Sequence, residues 1–191
     1  RDGEYSWFAM ELEVLSYEEG CPEIVLGRFE DITRLKELEN AYIRQARVNQ
    51  LLLEASIHWG QYPTKDIARK TYNFRTTGLG VANLASLLMV MGLPYDSERA
   101  RALASSLSGI LTGQSYYVSS LMAKAVGPFA MYDINKNHML RVIHNHAIAA
   151  GSIKGDFIDI NVKPYMVDHN LLELMGLNTF SETLKNVWVD A

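Results

Sequence analysis

The sequence predicts an α+β chain, mostly α, with an N-terminal antiparallel β-hairpin followed by a helical segment. Three observations carry this. Residues 5–15 (YSWFAMELEVL) are rich in aromatic and large apolar side chains, with Glu11 and Glu13 alternating in the second half, as in a half-buried strand. Leu35, Leu38, Tyr42, Ala46, Asn49 and Leu53 recur at three- and four-residue steps, the period of an amphipathic helix. Beyond residue 60, Gly and Pro punctuate several further apolar stretches, so separate helices are expected there.

Residues 18–22 (EEGCP) read as a turn, because Gly20 permits unusual backbone angles and Pro22 fixes its own. Residues 23–29 return as the second strand. Asp31 or Thr33 is a candidate cap for a helix over 34–59, whose other face carries Lys36, Glu37, Arg44 and Gln45. Gly60 and Pro63 end it, and Thr64 caps the next helix, 65–74. Gly78 and Gly80 make a second break, leading into a strongly apolar helix over 81–91 with Met89 and Met91 as core filler. Asp96 or Ser97 caps a long helix to about residue 126, bent near Gly109 or Gly113. Residues 133–137 read as a loop before a helix over 138–150, and 160–167 as a short strand. Asp168 or His169 opens a final helical stretch, divided near Gly176 and restarted at Ser181.

The chain has 191 residues, 48% hydrophobic and 21% charged, with a net charge of −4. That acidic balance argues against nucleic-acid binding, which needs a basic excess. Cys21 is the single cysteine, which excludes an internal disulfide and any multi-thiolate metal site. A reducing, cytoplasmic setting is expected. No apolar run is long enough to span a bilayer, so no membrane partner is expected. The missing starting Met and the uncapped end TLKNVWVDA suggest an excised fragment or a fragmentary gene product.

Several words then stand in a fixed order: QYPTKDIA at 61–68, YNFRTTGLGVANLASLLMVMGLPYDS at 72–97, TGQSYYVSSLMA at 112–123, GPF at 127–129, NKNHMLRVIHNHA at 135–147 and VKPYMVDH at 162–169. Their order and spacing resemble the catalytic subunit of the ribonucleotide reductases, most closely the adenosylcobalamin-dependent (class II) kind, over about residues 51–191. The resemblance implies that the helical segment belongs to a ten-stranded α/β barrel. It implies reduction of ribonucleotides to deoxyribonucleotides for DNA synthesis by a thiyl radical, with adenosylcobalamin as initiating cofactor. It also implies a ribonucleotide substrate, nucleotide effectors, a thiol reductant and a homodimer as partners. The family's radical loop carries Asn, Cys and Glu at alternating positions. Here Cys21 and Glu23 keep the Cys-x-Glu spacing and are the candidate catalytic residues, with Glu19 in place of Asn and Gly and Pro exchanged about the cysteine. A redox cysteine pair and a phosphate-binding loop are not found. A lone thiol cannot both hold a radical and donate two electrons, so the chain alone is expected to be inactive.

A second resemblance covers residues 1–45. Gly27-Arg28-Phe29-Glu30-Asp31-Ile32-Thr33 leading into a charged helix is similar to the end of a PAS sensor domain. It implies an alternative, a dimerisation module without catalysis. The organisation expected is a hairpin at 1–33, a linking helix at 34–59 and the reductase segment at 60–191.

Other patterns fall short of sites. Gly78-Leu79-Gly80 lacks the third glycine of a dinucleotide loop, since Asn83 stands there. Asp133-x-Asn135-x-Asn137 begins like a calcium loop but has His138 and His144 where Gly and Glu are required. His144 and His146, two apart, point to different faces of a helix, so no metal centre is expected. Tyr116 and Tyr117 read as core, and Arg141 and Lys163 as solvated or paired charges.

Overall fold

The computed structural model describes the backbone of residues 8–18 and 21–31 and the whole of residues 33–191. Strands β1 (Phe8–Glu18) and β2 (Cys21–Asp31) pair antiparallel, from Phe8 opposite Asp31 to Glu18 opposite Cys21. Seven helices follow: α1 (Thr33–Trp59), α2 (Lys65–Phe74), α3 (Leu84–Val90), α4 (Glu98–Val126), α5 (Tyr132–Ala149), α6 (His169–Leu174) and α7 (Asn178–Asp190). The chain forms two compact units, Arg1–Tyr42 and Ile43–Ala191.

The expected fold class is corrected. Residues 33–191 hold helices joined by coil and no strand, so neither an α+β arrangement nor any part of a ten-stranded α/β barrel is formed there. The physical reason is that a strand exists only where its backbone finds a neighbour to bond. The strand expected at 160–167 is likewise coil. Pro164 removes one donor, and Val162 and Tyr165 lie fully in solvent instead of on a core.

Local chemistry sets the helix starts. The Thr64 hydroxyl accepts from the Ile67 amide at 3.3 Å, Ser97 from Ala100 at 3.2 Å, and Asp168 from Leu171 at 3.0 Å, each satisfying a donor the helix cannot. Other expected bounds shift. Helix α3 is shorter than 81–91 because Asn83, in the left-handed region at φ 63°, starts it late. Helix α5 begins at Tyr132, not 138, and the Asn135 amide donates back to the Met131 carbonyl at 2.8 Å. Helix α7 restarts at Asn178 rather than Ser181.

Helix α4 is continuous through Gly109 and Gly113. The two glycines lie one turn apart and face α7. A Cβ at Gly109 would stand 2.6 Å from Leu184 Cδ1, and one at Gly113 would stand 2.8 Å from Val187 Cγ1 and 3.0 Å from the Trp188 ring. Their missing side chains let α7 seat directly on α4. Ile110, Val118, Leu172 and Leu184 are buried there, with Phe180, Val187 and Trp188 around them. Trp188 Nε1 donates to the Gly109 carbonyl at 3.1 Å, which ties the two helices.

Helix α3 departs from expectation. Leu88 is its buried residue, while Met89 is 72% and Val90 86% exposed. Met89 and Met91 are therefore surface residues and not core filler.

Candidate functional site

The candidate catalytic residues Cys21 and Glu23 fall in β2, and their side chains lie outside the described residues. Residues 33–191 carry no thiol, since Cys21 is the single cysteine.

The most organised polar corner of the helical unit joins α1 to the segment after α2. Arg75 ends α2 in the left-handed region, φ 48°, with its amide donating to the Thr71 carbonyl at 2.7 Å. Its guanidinium pairs with the Glu54 carboxylate, reaches the Glu54 carbonyl at 3.3 Å, and lies 5.2 Å from the Tyr72 ring centre. Thr77 Oγ1 accepts from Gln50 Nε2 at 3.1 Å. The Tyr72 hydroxyl bonds His58 Nδ1 at 2.5 Å, and Tyr62 donates to the Ile57 carbonyl at 3.0 Å. An open cleft of about 370 Å³ lies beside this corner, lined by Asn49, Leu52, Leu53, Ser56 and Gly78-Leu79-Gly80. Its lining holds no titratable side chain, and its one hydroxyl, Ser56, donates to the Leu53 carbonyl at 2.7 Å.

A second constellation superficially resembles a nucleophile and its base. His169 Nδ1 lies 2.8 Å from Ser181 Oγ, and Nε2 lies 2.8 Å from the Ala150 carbonyl. A carbonyl only accepts, so Nε2 carries the proton and Nδ1 accepts from the Ser181 hydroxyl. Ser181 is 1% exposed, so no substrate reaches it. The bridge is structural, locking the end of α5 to the starts of α6 and α7. Gly151, at φ 72°, leaves room for the ring, since a Cβ there would stand 2.7 Å from Nε2. His169→Leu is expected to cost about 2–3 kcal/mol in urea unfolding, because both former partners remain buried without a mate. Adding Ser181→Ala should recover part of that loss.

The remaining sequence candidates have ordinary partners. Arg141 pairs with Asp159 at 2.5 Å and lies 3.2 Å from His138 Nδ1. His146 stacks on Trp188 at 5.3 Å, and Tyr116 lies 6.0 Å from the same indole. Asp133, Asn135 and Asn137 sit within α5 and make no calcium loop. Lys163 is exposed. Among the described residues, no group of three or more His, Cys, Asp or Glu is placed to hold a metal ion, and no helix is long and apolar enough to cross a membrane. Burial pushes the Tyr42 hydroxyl up to about 12, so it stays protonated near neutrality. Sequence reading missed the Glu54–Arg75, Gln50–Thr77 and His169–Ser181 pairs. Their partners lie 12 to 27 residues apart, beyond any local spacing rule.

Comparison with known proteins gives this geometry a context. The family described as "Ribonucleotide reductase, barrel domain" matches residues 22–165. The match begins one residue after Cys21 and takes in residues 22–45, which the PAS resemblance also claims. A vitamin B12-dependent ribonucleotide reductase of Agrobacterium fabrum is 40% identical over 145 residues, 75% of this chain and 11% of that protein. Its counterpart in Bradyrhizobium diazoefficiens is 43% identical over 127 residues, 66% of this chain and 10% of that protein. The one in Rhodopirellula baltica is 42% identical over 103 residues, 54% of this chain and 10% of that protein. The chain thus spans about a tenth of the length of these relatives. With its motifs in family order and more than half its length matched, the chain belongs to the ribonucleotide reductase family, through that family's barrel domain.

Proposed function

We propose that this chain is a supporting portion of an adenosylcobalamin-dependent ribonucleotide reductase, a cytoplasmic enzyme that converts ribonucleotides to deoxyribonucleotides. The observation that carries the reading is the match over residues 22–165, together with about 40% identity to relatives named as B12-dependent reductases. In that reading residues 1–33 and 34–59 lead into a scaffold at 60–191. Cys21 is the thiol the chemistry calls for, with Glu23 as its neighbouring carboxylate. Ribonucleotide, nucleotide effectors, a dithiol reductant and a second subunit are the partners.

When bound, adenosylcobalamin would supply the initiating radical. The cleft beside Arg75 does not fit it: at about 370 Å³ it is far smaller than a corrin with its nucleotide tail, and its lining offers no ligand for cobalt. The contribution of residues 43–191 is positional. The Glu54–Arg75 and Gln50–Thr77 contacts hold one segment against α1, and the α4–α7 seat holds those two helices together.

Two measurements test this. The isolated chain, given adenosylcobalamin, ribonucleoside di- or triphosphates and a dithiol, should form no deoxyribonucleotide above the blank. Turnover there would overturn the supporting role. The Agrobacterium fabrum enzyme carrying residues 51–191 of this chain in place of its own aligned stretch should retain deoxyribonucleotide formation. A folded chimera without product would overturn the functional reading.

A further inference from the structure

We draw no further inference here: the strongest candidate, the exposed apolar face of α1 carried by Val48, Leu51, Leu52 and Trp59, has nothing in the structure to show what covers it.

Discussion

Trp188→Ala is expected to lower the stability of the helical unit by about 3–5 kcal/mol, the largest effect of any single truncation among the described residues. The indole is 4% exposed and makes three different contacts. It lies on the Gly109–Gly113 side of α4, stacks against His146 of α5, and approaches Tyr116 at 6.0 Å. Its N–H also donates to the Gly109 carbonyl. Truncation removes the apolar area, opens a cavity that flanking helices cannot collapse to fill, and discards that bond. Trp188→Phe keeps most of the volume and loses the donor, so about 1–2 kcal/mol is expected. Urea unfolding followed by far-ultraviolet circular dichroism measures both. An alanine variant within 1 kcal/mol of wild type would mean that the α4–α7 seat is not the core of this unit.

Gly113→Val should destabilise by about 3 kcal/mol, although glycine within a helix is ordinarily a liability. Replacing it with a better helix former stabilises an unconstrained helix by up to about 1 kcal/mol. Here the new Cβ would stand 2.8 Å from Val187 and 3.0 Å from two atoms of a rigid indole. Neither neighbour can retreat, because Val187 and Trp188 are themselves buried. Overpacking typically costs 1–3 kcal/mol, and a branched side chain worsens it. The control is Gly78→Ala, which meets nothing within 4 Å and should be neutral or slightly stabilising in the isolated chain. The difference between the two midpoints separates glycine kept for packing inside the unit from glycine with no internal reason.

What the sequence made legible was local. Thr64 identifies itself as a cap, and Ser97 and Asp168 each stood as one of two adjacent candidates, because a cap is a contact between residues three apart. The motif words identified the family because their order is written along the chain. What failed was tertiary. Gly109 and Gly113 looked like places for a bend because glycine weakens an isolated helix; what the sequence could not show is that α7 packs against both, within a helix that runs unbroken from Glu98 to Val126. Residues 81–91 looked buried because they are apolar, yet Met89 and Val90 face solvent, since an apolar run does not say whether its cover lies within the same chain. His169 read as one end of a cap, while its partners wait 12 and 19 residues away. The barrel failed for the same reason as the strand at 160–167: sheet needs neighbours, and a single chain's pattern cannot announce whether they are present. Cys21 and Glu23 were legible only as a spacing.

The sparse anchoring of α2 and α3 has a kinetic corollary. Helix α2 has no buried residue and α3 has one, whereas α7 has six. Opening free energy follows buried contacts, so the α4–α7 pair should form a late-melting kernel and the stretch from α2 through α3 an early-fraying arm. A protease would cut that arm first. The kernel can set before the arm has found its place, which leaves the arm as the part of the unit ordered last.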